Sequence, residues 1–124
     1  MTPPKTFEQI ERESALLVGA AIARLRESAG ITQDEAAHAL GIGLQQISRF
    51  ERGAVAPSIG RLYQLANLFG CRVEELLRSG SPREADQAVE IRAMLARVSP
   101  AHRRFVVELV RATTDHLAGP GAKG

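Results

Sequence analysis

Residues 31–53 read "ITQDEAAHALGIGLQQISRFERG". Thr32 is followed three positions later by Glu35, the pattern of a capping box, so a helix should open at Gln33. Ala36, Ala37 and Leu40 give that helix an apolar side, and Gly41 is a natural stop. Only Gly41-Ile42-Gly43 separates it from a second short run, 44–51, which stops at Gly53. A link of three residues fixes two helices at a steep angle, which is the helix-turn-helix arrangement.

The second helix has a thin apolar side and a long-armed polar one. Helical residues advance by about 100° each. With Ile47 as the buried direction, Phe50 and Glu51 fall within about 60° of it, and Gln45, Ser48, Arg49 and Arg52 point the other way. In an isolated helix such a face is ordinary solvated surface. As the second helix after a tight turn it is expected to read base edges instead, since Gln can pair with adenine and Arg with guanine through two hydrogen bonds each.

Bulk properties bound the rest. At 124 residues the chain suits one small domain, or a domain with an appendage. It is 44% apolar and lacks Trp, and Ala, Leu, Arg and Glu lean it towards helix. Cys71 is the single cysteine, so no intrachain disulfide exists, which fits a reducing compartment. Following Gly70, it reads as a small buried apolar side chain, with a redox sensor as the alternative. The polar, acidic start lacks a signal core, and no apolar run reaches membrane-spanning length. These features lead us to expect a soluble cytoplasmic protein of bacterial style. The net charge is only +2; residues 1–80 carry nine basic and nine acidic side chains, and residues 81–124 seven and five. Any basic patch for nucleic acid must therefore be local.

Capping patterns at Thr6 to Gln9, Thr32 to Glu35 and Ser81 to Glu84, and Ser-Pro starts at Ser81 and Ser99, mark helix openings. Gly30, Gly41, Gly53, Gly70 and Gly80 mark stops. The reading is an all-α chain of seven helices near 7–29, 33–40, 44–51, 59–69, 73–78, 82–98 and 100–117, without strands. Residues 1–13 are an arm or the start of helix 1, 14–79 a helix-turn-helix domain, 80–118 a helical hairpin, and 119–124 a disordered tail.

The run from Ile31 to Gly53, followed by "APSIGRLYQLANLFGCRVEELL", resembles the Cro and lambda-repressor type of helix-turn-helix domain, the xenobiotic-response-element family of regulators, over roughly residues 16–78. Thr32-Gln33, Ala36-Ala37, Leu40-Gly41, Ile47-Ser48-Arg49, Glu51-Arg52-Gly53, Pro57-Ser58 and Leu65-Ala66 fall at the family's spacing. The "RLYQLA" run and the helical tail resemble an alphaproteobacterial group of these regulators. The resemblance implies a five-helix DNA-binding domain plus a C-terminal two-helix extension. It implies DNA contacts from Gln33, Leu44, Gln45, Gln46, Ser48, Arg49, Arg52 and Arg61, with Gln33 on a phosphate at the positive end of its helix. Two positions depart from the family. Gly43 replaces the usual Ser or Thr, which as an N-cap costs only a few tenths of a kcal/mol. Leu44 stands where relatives often carry Gln; it either packs on the preceding helix or touches a thymine methyl. The loop "GAVAPS" is neutral where relatives carry basic residues, which Arg52 and Arg61 offset. Glu51 faces inward and needs a partner; Arg26, about 40° round from Ile22, faces it, and the family pattern implies the same structural ion pair.

Beyond residue 80, Ala88, Ile91, Met94, Leu95 and Val98 in one helix, and Phe105, Val106, Leu109, Val110 and Leu117 in the next, follow the i, i+3, i+4 pattern. A five-helix domain closes its own core, so this surplus packs back on the domain or on a second subunit. We expect dimerisation through Ile91, Met94, Leu95, Phe105, Val106, Leu109 and Val110, in the commonest symmetry, a two-fold. His38, His102 and His116 lack metal-ligand spacing, and no phosphate loop or nucleophile set is visible, so neither metal, cofactor nor enzyme activity is expected. A cyanase-like enzyme, which carries a similar helical domain, would need an Arg-Glu-Ser site that the tail does not offer. The expected function is a homodimeric transcriptional repressor on an inverted repeat of double-stranded DNA. The alternative is an antitoxin-like module whose terminal helices hold an unidentified protein partner.

Overall fold

A computed structural model describes residues 3–78, 81 and 83–119. Among these residues there are seven helices and no strand. The chain divides into two units, Met1–Gln87 and Ala88–Gly124.

In the first unit the openings are set by side chains. Helix α1 (Phe7–Ser28) begins where Thr6 Oγ1 accepts from the Gln9 amide and Gln9 Oε1 accepts from the Thr6 amide, so residues 7–13 are the start of the helix. Helix α2 (Gln33–Leu40) has the same reciprocal cap between Thr32 and Glu35. That contact, chiefly with the Thr32 amide, holds the Glu35 carboxyl below its usual range. Helix α3 (Leu44–Glu51) follows Gly43, which offers no side-chain cap. Helix α4 (Ile59–Phe69) starts under Ser58, whose Oγ accepts from the Arg61 amide at 3.2 Å. Helix α5 (Val73–Arg78) is opened by Glu75, which accepts from the Arg72 amide at 2.8 Å.

The core is small and closed. Ile22, Ile47, Leu65 and Leu76 are fully buried, and Ala21, Ala36, Ala37 and Ala66 let the helices come close around them. Helix α1 packs on α3, α4 and α5, and α2 packs on α3 and α4. Cys71 is half-buried against this core, and burial pushes its thiol pKa up.

Helix α6 (Glu84–Ala96) is shorter at both ends than the expected 82–98. At its start the Ser81 hydroxyl donates to Asp86 Oδ2 at 2.5 Å instead of accepting from the Glu84 amide. At its end Ser99, held extended before Pro100, starts α7 (Pro100–Ala118). Arg103 Nε donates to the carbonyls of Leu95 and Val98, at 3.0 and 2.9 Å, and closes the turn between the two helices. Beyond that turn, α6 and α7 do not pack along each other's length, so the expected hairpin is open. The stop expected at Gly80, the Pro82 start and the tail from residue 120 lie outside the described residues.

Candidate nucleic-acid interface

The turn between α2 and α3 needs Gly41. Its φ of +69° is left-handed, and the next amide, Ile42, donates back to the Ala37 carbonyl at 3.0 Å. Ile47 and Phe50 then anchor α3 in the core.

The last turn of α3 is fixed by three contacts. A Cβ on Gly19 of α1 would sit 2.3 Å from the Phe50 carbonyl oxygen, so the two helices cross backbone to backbone. A Cβ on Gly53 would lie 2.7 Å from Leu16 Cα, on a residue whose φ is already +73°. The third contact is ionic. Arg26 Nε and Nη2 meet Glu51 Oε2 and Oε1 at 2.6 and 3.2 Å, with side chains only 11% and 7% exposed. Arg26 Nη1 also donates to the Ile31 carbonyl at 2.8 Å, and Gln33 Nε2 donates to Glu51 Oε1 at 2.9 Å. One buried carboxylate thus ties α1, α2 and α3 together. The hydrogen bond to Glu51 raises the Arg26 guanidinium pKa above its usual value, against the opposing effect of burial.

The residues expected to touch DNA divide into two groups. On the open side of α3, Gln45, Arg49 and Arg52 are exposed, Gln46 and Ser48 are half-covered, and Leu44 is 45% exposed. Arg52 Nε donates to Ser48 Oγ at 3.2 Å, which aims the guanidinium along the helix surface. Arg49 has no hydrogen-bond or ion-pair partner among the described residues. The other two are held inside the domain. Gln33 is half-buried with its side-chain amide on Glu51. Arg61 Nη1 donates to the Leu40 carbonyl at 3.2 Å and to Gln64 Oε1 at 2.8 Å, so it caps the end of α2. Gly19, the Gln33 bond and the Leu40 cap are features that the sequence reading did not contain. Gly19 had a local signal, since glycine inside a helix costs about 1 kcal/mol relative to Ala and so implies a packing reason.

Among the described residues no group of three or more His, Cys, Asp or Glu side chains is placed to hold a metal ion, and no helix is long and apolar enough to cross a membrane.

Comparison with known proteins bears on this face. A helix-turn-helix family model matches residues 22–76, the span that holds α2, α3 and the Arg26–Glu51 pair. An uncharacterized HTH-type transcriptional regulator, y4dJ, of Sinorhizobium fredii is 41% identical over 61 residues, 49% of this chain and 79% of that protein. An uncharacterized HTH-type transcriptional regulator of Archaeoglobus fulgidus is 34% identical over 55 residues, 44% of this chain and 79% of its own length. Helices α6 and α7 lie beyond the family match.

Proposed function

Because this chain belongs to the helix-turn-helix transcriptional regulators, which bind DNA, we propose that it is a repressor that binds an inverted-repeat operator as a homodimer. The observation that carries the reading is the open face of α3, where Gln45, Ser48, Arg49 and Arg52 point away from a rigidly held last turn. Gln45 and Arg49 are one turn apart and enter the major groove together. Arg49 reads a base edge, Gln45 a second, and Gln46 and Ser48 support them. Arg52 takes a phosphate. Gln33 takes another through the amide at the first position of α2, while its side chain holds Glu51 in place. Arg61 adds to the phosphate contacts through the guanidinium nitrogens that do not cap α2.

The second subunit is recruited by α6 and α7. Phe105 is 66% exposed and Leu117 76%, with Ile91, Met94, Leu109 and Val110 also open and Leu95 and Val106 half-covered. The open apolar side chains of these two helices are covered by the same pair from a second copy around a two-fold axis. The two reading helices then meet half-sites about 34 Å apart, or a multiple of that. Repression needs only occupancy of the operator, for which a reading face and a pairing surface suffice, and neither requires catalysis. The reading as a DNA binder supports a cytoplasmic location. The same open helices favour one second reading, an antitoxin-like module that holds another protein, and a heteromeric complex on purification would support it.

The test is selection of bound DNA from a random pool, followed by binding curves on the selected and a scrambled duplex. Arg49→Ala should weaken operator binding by about 1–3 kcal/mol and relax one base pair per half-site. Arg52→Ala should weaken both duplexes equally, since phosphate contacts carry no sequence information. An Arg49→Ala variant that loses nothing on either duplex would remove α3 from the interface.

A further inference from the structure

We propose that the cavity between the N-terminal part of α1 and the end of α5 binds an amphipathic carboxylate, a molecule with a hydrocarbon body and one anionic end. Its test needs no DNA and is independent of the reading of α3.

Ile10, Ser14 and Val18 of α1 and Leu77 of α5 line a cavity of about 520 Å³, and Lys5, Ser81 and Arg83 complete its lining. Small-molecule sites run from roughly 300 to 1,000 Å³ and are mostly apolar, with a few polar groups that fix orientation. Every lining residue lies outside residues 22–76, the span of the family match. The chain on either side of the helix-turn-helix core therefore builds this cavity. Ile10 is 44% exposed and Leu77 52%, and the core closes without either of them. Packing of the domain does not account for these two side chains.

The charge at the cavity has one sign. Its ionisable lining residues are Lys5 and Arg83, both basic. The two carboxylates bonded to the lining are already engaged: Glu13 Oε2 meets Lys5 Nζ at 2.6 Å, and Asp86 Oδ2 takes the Ser81 hydroxyl at 2.5 Å. The Arg83 amide donates to Ser81 Oγ at 3.2 Å, while its guanidinium has no partner among the described residues. A guanidinium matches a carboxylate through two parallel hydrogen bonds. An uncharged hydrocarbon would leave Arg83 unused, and a small inorganic anion would leave Ile10 and Leu77 open to water. An acid with a hydrocarbon body satisfies both, its carboxylate on Arg83 and its chain against Ile10, Val18 and Leu77.

The experiment titrates the full chain with octanoate, octanol, octyltrimethylammonium and butyrate, each below its micelle concentration, and reads binding by calorimetry and by the shift in melting temperature. Octanoate should bind once per chain, with octanol about tenfold weaker and the other two not measurable. Arg83→Gln should weaken octanoate by about tenfold, the worth of one hydrogen bond to a charged group. Ile10→Glu should abolish binding, whereas Arg104→Gln, which removes the same charge from α7, should leave it unchanged. Ile10 and Arg83 are both exposed, and melts without ligand verify that their variants fold. Octanoate bound equally well by wild type and Arg83→Gln, or octanol bound as tightly as octanoate, would overturn the assignment of an anionic end. Uptake that survives Ile10→Glu would put the ligand elsewhere, the open side chains of α6 and α7 included, and would overturn the cavity as the site. Neither heat of binding nor a rise in melting temperature with octanoate would overturn the proposal outright.

Discussion

Apolar side chains are buried at one end of this chain and left open at the other. In the first unit, α1 to α5 bury Ile22, Ile47, Leu65 and Leu76 completely. In α6 and α7 no residue is buried. The difference lies in what surrounds the apolar side chains. Within α1 to α5 alanines and glycines let helices approach, and links of a few residues hold each apolar face on a neighbour. Between α6 and α7 a proline start and the Arg103 contacts fix the turn, and the apolar side chains of both helices are left open. Apolar content alone therefore does not decide whether a helix face is covered, or by what.

The contrast can be broken first where the inner unit is tightest. Arg26→Ala strands the buried Glu51 carboxylate and should lower stability by about 3–5 kcal/mol, read as a denaturant midpoint. Arg26→Met combined with Glu51→Leu should recover much of that loss, because paired apolar groups need no counter-charge. Gly19→Ala comes next. Its methyl group would meet the Phe50 carbonyl, which is backbone and does not swing aside, so α1 and α3 must separate. Overpacking of this sort typically costs roughly 1–3 kcal/mol. It should also weaken operator binding, because the heel of α3 moves.

The outer helices should respond in the opposite way. Phe105→Asp with Leu109→Asp should change the melting of the first unit by no more than about 0.5 kcal/mol, since both positions are exposed. In light scattering the same variant should run at half the mass of wild type. A variant that stays dimeric would move the pairing surface away from α7. The smallest effect belongs to Glu35. Its carboxyl pKa is depressed in the folded chain, so its contribution is present above the usual glutamate range and is lost as pH falls through the lower folded value. Glu35→Gln should slightly flatten the acid limb of a stability-versus-pH curve and leave the neutral region nearly unchanged.

What was legible in the residues follows the range of the interactions. Helix starts at Thr6 and Thr32, and stops at Gly41 and Gly70, are decided within four or five residues, and the helices of the first unit fall where those signals put them. Ser81 carried the same signal, yet its hydroxyl found Asp86, a competing partner two residues beyond the glutamate of the pattern. The bonds from Gln33 to Glu51 and from Arg61 to Leu40 cross 18 and 21 residues, and no local pattern encodes them. The outward set on α3 could be read from helical phase alone. That Gln33 and Arg61 also brace the scaffold could not.

The clamp on α3 is uneven. Gly19, Gly53 and Glu51 all act on its last turn, while its first turn follows a bare glycine and the bond from the Ile47 amide to the Gly43 carbonyl is stretched to 3.4 Å. The helix is thus a lever pinned at its heel. In hydrogen-exchange terms the amides of its last turn should open only with the whole unit, whereas that of Ile47 should open in local excursions of the tip. The capped first turn of α2, under Thr32, supplies the internal control: the Ala36 amide, bonded to the Thr32 carbonyl at 3.0 Å, should exchange more slowly than the Ile47 amide. The rotation of α3 is thus fixed at its last turn, and the pitch of its tip is the freer coordinate.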